Sequence, residues 1–266
     1  MKVAIIGVGK WGQVLLKELK AQVEVKYECD SKTDLRKVFS DPEIEAVVIA
    51  TPTETHFDIA SRALDAHKHA FLEKPGTTKR SDLEKLVNKA REKNLKFAIG
   101  YEFPHHPAIQ KIKELIKGKE IKFIRLEHQK WGTFKDSVVR NSLCHDVSIL
   151  KYLGIKTDTP TINKIGIVTE ADILATRFGS NVMSIINRVS PLKLRTILVK
   201  LENNSYLFSN DELFEIVGEE LKKIDLPLTT PVTAEITDFL SAIRDNREPT
   251  INGKFALEVY KVIEKA

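Results

Sequence analysis

The chemistry in this chain gathers at three short stretches. Gly7-Val8-Gly9-Lys10-Trp11-Gly12 has the spacing G-x-G-x-x-G. It follows a short apolar, β-branched run and opens a helical pattern, and the acid Asp30 ends the next strand-like run. In that setting the loop can cradle a dinucleotide. Gly7 makes the tight turn, Gly9 lets a pyrophosphate approach the backbone, and Gly12 lets helix and strand pack closely. The helix N-terminus adds free N–H donors and partial positive charge. Asp30 would accept hydrogen bonds from the adenosine ribose hydroxyls and repel a 2′-phosphate, which favours NAD over NADP. Ser31 and Lys32 could instead serve that phosphate, so both cofactors stay open.

Glu73-Lys74-Pro75 puts a lysine at the end of a strand-like run. An amine shielded from water can have its pKa lowered toward neutrality and exchange protons with a hydroxyl. His145 stands in Ser142-Leu143-Cys144-His145-Asp146 at the start of a helical pattern, with Asn141 four residues earlier. Imidazole moves protons near neutral pH. Lys74 and His145 are therefore the candidate catalytic residues, and Asn141 and Tyr101 are expected to position substrate hydroxyls. His56, His67, His69 and His128, taken singly, read as satisfied structural residues. Adjacent His105 and His106 with Glu102 lack metal-ligand spacing, and Cys144 and His145 diverge in direction on a helix. No metal site is expected.

The elements that must position these residues alternate in the first half. Strand patterns cover 3–6, 23–29, 46–50, 70–73 and 95–99. Helical patterns cover 11–21, 34–39 and 56–66, and another opens at Ser81 as its cap with Leu83, Leu86, Val87 and Ala90 in one stripe. Such alternation predicts a parallel sheet covered on both faces, with ligands beyond the strands' carboxyl ends. Gly7 to Gly12, Asp30, Thr51 to His56 and Lys74-Pro75 all lie there. Past a helix at 108–116 the rhythm changes. Strand patterns at 122–128, 164–169, 173–178, 182–189, 194–201 and 205–208 predict an antiparallel meander. Helical patterns at 143–152, 236–243 and 255–264 complete an α+β domain. The expected domains are 1–117 and 118–266.

Taken in order, the glycine loop, Ala50-Thr51-Pro52 with His56, Glu73-Lys74-Pro75, and Gly100-Tyr101 leading to Pro107-Ala108 resemble the Gfo/Idh/MocA family of oxidoreductases. The resemblance is close over the first half and rests on topology and His145 in the second. It implies an α/β fold, with an N-terminal Rossmann parallel sheet and a C-terminal α+β domain carrying an open, largely antiparallel mixed sheet. It implies NAD or NADP and hydride transfer at a secondary alcohol of a sugar, inositol or nucleotide sugar. It makes Lys74 the contact to the substrate hydroxyl and His145 its partner in proton transfer. Its cofactor set is Gly7, Gly9, Lys10, Trp11, Gly12, Asp30, Ser31, Thr51, Pro52, His56 and Glu73. The chain departs from the family pattern in three places. Asn141 stands where aspartate is common, Val138-Val139-Arg140 replaces a glycine pair, and Pro104-His105-His106 replaces an arginine. The altered segment from Val138 to Asn141 keeps a catalytically silent nucleotide-binding sensor in view, and the resemblance implies a further alternative, an NAD-assisted glycosidase.

The chain has 266 residues, 42% of them hydrophobic and 30% charged, with net charge +5. That is the composition of a globular protein rather than a disordered or fibrous one. It shows no basic run interleaved with aromatics for nucleic acid, and no apolar run of the ~18 residues a membrane span needs. Cys29 and Cys144 form no disulfide framework, and the short apolar N-terminal run is interrupted by Lys10. The expectation is a cytoplasmic protein with a sugar-like small-molecule substrate, no nucleic-acid partner and no membrane. Apolar residues on both strand parities, Ile185, Ile186, Ile197, Leu198 and Val199, predict a homodimer or homotetramer formed through the C-terminal sheet. The tract from Lys130 to Asn141 reads as a lid or pocket wall, or as a plain connection.

Overall fold

The computed structural model describes residues 1–266 apart from Thr133, Lys135 and Asp136. The first hundred residues run β1 (Lys2–Ile6), α1 (Lys10–Lys20), β2 (Glu24–Cys29), α2 (Leu35–Ser40), β3 (Ile44–Ile49), α3 (Thr53–Asp65), β4 (His69–Glu73), α4 (Arg80–Glu92) and β5 (Phe97–Gly100). Next come α5 (Pro107–Leu115), β6 (Phe123–Trp131), a π-helical turn at Val139–Leu143, α6 (Cys144–Tyr152), β7 (Pro160–Ile165), β8 (Ile173–Phe178) and β9 (Val182–Asn187). The chain ends with β10 (Val189–Lys200), β11 (Ser205–Ser209), β12 (Glu212–Val217), β13 (Glu220–Ile224), α7 (Pro231–Arg244) and α8 (Gly253–Ile263).

Two compact units result, Met1–Glu102 with Thr230–Glu258, and Phe103–Thr229 with Val259–Ala266. A single cut at 117/118 does not describe them, because the chain returns to the first unit through α7. The cause is apolar burial. Ile236, Phe239 and Leu240 of α7 join Val3, Ile5, Leu15, Leu16 and Leu19 in one buried cluster. Thr233 and Thr237 then hydrogen-bond Glu18 and Gln22, each at 2.8 Å.

In the first unit five strands pair in parallel in the order β2-β1-β3-β4-β5. The chain moves to one side of β1 with β2 and to the other with β3, so the order reverses between β1 and β3. Ligands of open α/β sheets bind at such a reversal. Val3 to Ile6 are almost wholly buried, as strands covered on both faces must be. Helix α4 begins at Arg80 with Lys79 at its N-cap and no side-chain cap, so Ser81 lies inside the helix and is not its cap.

The second unit holds an eight-stranded mixed sheet, β13-β12-β11-β10-β6-β9-β8-β7. Every neighbouring pair is antiparallel except β6 with β9. The expected continuous meander is therefore split. β6 enters between β9 and β10, and the chain crosses its end at the single linking residue Arg188. The strand expected at 164–169 runs instead over Pro160–Ile165. The residues after it form a loop tied by Asp172, whose buried carboxylate accepts from the backbone N–H of Ile167 and Thr169 and from Arg188. β12 and β13 are additions to the expected strands. Their charged faces hide the alternation, but Asn210 and Asp211, both at positive φ, make the two-residue hairpin turn that joins β11 to β12. One sheet face is buried through Ile124, Leu126, Ile186, Ile197 and Val199. On the other, Met183, Ile185 and Leu198 are only half-buried.

Candidate active site

The loop between β1 and α1 gives each of its glycines a separate task. Gly7 sits at φ +98°, and a Cβ there would lie 2.7 Å from the Ala50 carbonyl carbon. The post-β1 and post-β3 loops thus touch at the strand-order reversal, which leaves no room for a side chain. A Cβ on Gly12 would run into the Gly7 carbonyl oxygen, whereas a Cβ on Gly9 would meet nothing within 4 Å. Gly7 and Gly12 serve packing, and Gly9 keeps open the face from which a phosphate could reach the backbone. Gly9 is also the N-cap of α1, with no side-chain cap and no acid in the first turn. Its N–H donors and dipole are therefore available to an anion. Lys10 and Trp11 beside them are exposed.

Asp30 is exposed just after β2, with Ser31 and Lys32 also exposed. Its carboxylate accepts from the Thr33 hydroxyl at 2.9 Å and the Lys32 N–H at 3.0 Å, and these bonds hold its pKa below the usual value. An ionised acid at this strand end fits ribose hydroxyls.

Thr51 and Pro52 follow β3, where the Thr55 hydroxyl donates to Thr51 Oγ1 at 2.8 Å. His56, on α3, is buried. Its Nδ1 lies 2.8 Å from the Gly76 carbonyl and its Nε2 2.7 Å from the Thr51 carbonyl. Both ring nitrogens are thus occupied by main chain. The residue ties the post-β3 loop to the post-β4 loop and bears on a cofactor only through those loops. Burial lowers its pKa, opposed by the two carbonyls.

Glu73 ends β4 and is 6% exposed. Trp11 Nε1 donates to its Oε1 at 2.5 Å, and the Lys74 N–H donates to its Oε2 at 3.1 Å. Burial pushes its pKa up to about 7, with Glu102 adding to the rise and Trp11 and Lys74 opposing it. The bare backbone of Gly100 makes room, since a Cβ there would lie 3.0 Å from Glu73 Oε1. Lys74 follows, partly exposed, in a cis peptide with Pro75. The first unit therefore brings the glycine loop, Thr51, His56, Glu73 and Lys74 to one edge of its sheet. Tyr101, two residues after Ile99 at the end of β5, has no exposed surface.

His145 belongs to the second unit, near the start of α6, and is 9% exposed. The Phe103 ring meets it edge-on at 5.1 Å, and the Arg195 guanidinium lies 3.8 Å from the Phe103 centroid. Arg195 also reaches His128 Nδ1 at 2.8 Å and Asp146 Oδ1 at 3.5 Å, and Ser184 donates to Asp146 at 2.7 Å. Burial, then Arg195, Lys130 and Lys193, take His128 down to about 3, so it stays a neutral acceptor. Asn141 lies in the π-helical turn, half-buried, its N–H bonded to the Ser137 carbonyl. Part of the 130–141 tract, Thr133, Lys135 and Asp136, lies outside the described residues. Among those described, no group of three or more His, Cys, Asp and Glu is arranged to hold a metal.

Sequence reading missed Arg195, Asp146, Phe103 and Glu235. For Glu235 a signal existed: it is an acid on the apolar stripe Val232, Ile236, Phe239 and Leu240.

The profile of an oxidoreductase family with an NAD-binding Rossmann fold, Gfo/Idh/MocA, matches residues 1–101. Over these residues the chain is similar to the Gfo/Idh/MocA family. The chain is 26% identical over 256 residues to UDP-N-acetylglucosamine 3-dehydrogenase of Acidithiobacillus ferrooxidans, an alignment covering 89% of this chain and 81% of the relative. The crystal structure of that dehydrogenase superposes with TM-score 0.89 at 24% identity, over 100% of this chain and 97% of the other. A dTDP-3,4-didehydro-2,6-dideoxy-α-D-glucose 3-reductase of Saccharopolyspora spinosa is 35% identical over 100 residues, 38% of this chain and 30% of that one. An oxidoreductase from Agrobacterium radiobacter, solved with NAD+, L-tartaric acid and magnesium, shares the fold at TM-score 0.87 and 14% identity, over 100% of this chain and 95% of that one. The α/β architecture of this family, a parallel sheet followed by a largely antiparallel one, is the architecture of the chain.

Proposed function

We propose that the first unit binds NAD(P), with NAD preferred, and that the protein transfers hydride between the nicotinamide and a secondary alcohol of a sugar, inositol or nucleotide sugar. The observation that carries this reading is the glycine loop joined to the Glu73-Lys74 strand end by the Trp11 hydrogen bond. The uncapped N-terminus of α1, the open space at Gly9 and the ionised Asp30 fit a dinucleotide. Bound there, the cofactor would supply the hydride chemistry, while the protein supplies orientation and proton handling. Lys74 and His145 are the two groups assigned to the hydroxyl proton, and Asn141 can orient a hydroxyl but not act as a base. Tyr101, being buried, would serve a substrate hydroxyl only from within the packed interior. The similarity to a dehydrogenase named for UDP-N-acetylglucosamine favours a nucleotide sugar.

Two free, buried cysteines support a reducing compartment such as the cytoplasm. The half-buried apolar residues Met183, Ile185 and Leu198 support pairing of two copies through the second sheet. Calorimetric titration of the cofactor-stripped protein tests the first step. NADH is expected to bind more tightly than NADPH, and failure of both at millimolar concentration would overturn the reading. On a nucleotide-sugar and sugar panel, Lys74→Ala and His145→Ala are each expected to lower turnover by roughly 10²-fold or more. Near-full turnover in both would remove their assignment.

A further inference from the structure

Glu235 is 2% exposed, and neither of its carboxyl oxygens has a hydrogen-bond partner among the described residues. Buried polar groups are nearly always paired, so an exception calls for a physical reason. Its position is enforced. Thr233 and Thr237 pin α7 to α1, and Phe239 meets Phe71 of β4 edge-on at 5.7 Å. Glu235 lies four residues before Phe239 on the same helix face, and Glu73 lies two residues after Phe71 on the same strand face. The two periodicities place Glu235 and Glu73 on the faces through which α7 and β4 meet, and the Glu73 charge acts on the Glu235 carboxyl.

We propose that Glu235 is a positioning residue of the active site: it holds a proton in this sealed cluster, so that Glu73 alone carries the charge that binds Trp11 and the Lys74 amide. The charged groups acting on Glu235 are Glu73 and Glu102. Those acting on Glu73 are Lys74 and Glu102, alongside the Trp11 indole. Two donors favour an anionic Glu73 and none favours an anionic Glu235, so Glu73 ionises first. Burial and then the two neighbouring carboxylates keep Glu235 protonated well above the usual range. Were both ionised, two like charges would share one dry site, and the Trp11 bond that holds the glycine loop to the β4 end would be lost. The functional consequence rests on the cofactor reading above, but the proton is measurable without cofactor or substrate.

Infrared spectra at pH 8 test the proton directly. A protonated-carboxyl carbonyl stretch is expected in the wild type and its loss in Glu235→Gln. Glu73→Gln should keep the band but shift it, because a neighbouring charge has gone. Asp146, whose carboxyl burial also pushes upward, lies in the other unit, and Asp146→Asn removes its contribution. No Glu235 band at pH 8, or a band unmoved by Glu73→Gln, would overturn the proposal even if Glu235→Gln fails to fold. The positioning role is read from Trp11 emission in a Trp131→Phe background. The wild type should show one transition near pH 7 and a second at higher pH, where its infrared band disappears. Glu235→Gln should lack the second. A second transition that persists in Glu235→Gln would refute the positioning role. Total failure to bind NADH would count against the cofactor reading alone.

Discussion

At the scale of the residue, Glu73 and Trp11 show how one contact joins two motifs. The indole N–H offsets part of the cost of a carboxylate buried at the end of β4. Trp11→Phe removes that donor, and a lost hydrogen bond to a buried charged group costs about 2 kcal/mol. Urea unfolding should show a loss of that order, and the Trp11→Phe carboxyl should titrate above 7, read as a shifted alkaline limb of stability against pH. The sign of that limb follows from linkage. Glu73 ionises near 4.5 when exposed and at about 7 when folded, so its contribution is full below 4.5 and lost as pH rises through 7. Glu235 acts in the same direction. His128 acts oppositely. Its pKa falls from 6.5 to about 3, so its contribution is present above 6.5 and lost as pH falls. The two acids therefore make stability fall as pH rises above about 4.5, and His128 makes it fall as pH drops below 6.5. Glu235→Gln should flatten the alkaline side and His128→Gln the acid side, as calorimetry across pH 4 to 9 would show.

At the scale of the element, three glycines in one loop obey different constraints, and substitution separates them. Gly12→Ala sets a methyl against the Gly7 carbonyl and should prevent α1 from seating on β1, which circular dichroism and thermal unfolding would reveal as gross destabilisation. Gly9→Ala meets open space at an ordinary backbone angle. Stability should change by less than about 1 kcal/mol, while NADH affinity falls tenfold or more, because the methyl occupies the phosphate approach. Equal effects of the two substitutions on stability would refute this division. The spacing in the sequence assigned each glycine an expected role, and the structure shows what each absent Cβ would touch. Helix α7 teaches the opposite lesson. Its stripe was legible as helical, yet nothing local to it names β4 and α1 as the surface it covers.

At the scale of the whole molecule, the half-buried sheet face bearing Met183, Ile185 and Leu198 predicts self-association. Light scattering at micromolar concentration should report a dimer or larger, and Ile185→Lys should shift it toward monomer, since a charge buried in an apolar interface goes unpaired. A monomeric wild type would contradict the assignment. The division into units depends on long-range burial as well: α7 belongs with the first unit because Ile236, Phe239 and Leu240 bury there, whatever their place in the chain.

By itself the sequence determined the parallel α/β half, the glycine loop and the strand ends where Asp30, Thr51 and Lys74 stand. Those features rest on local stereochemistry and on periodicities of two and 3.6 residues, which short stretches of chain express unaided. Tertiary structure decided the insertion of β6 between β9 and β10, the charged hairpin of β12 and β13, the clamping role of His56, and the electrostatic interaction of Glu73 with Glu235. Each of these depends on which distant surface excludes water from a given group, and no local pattern encodes that.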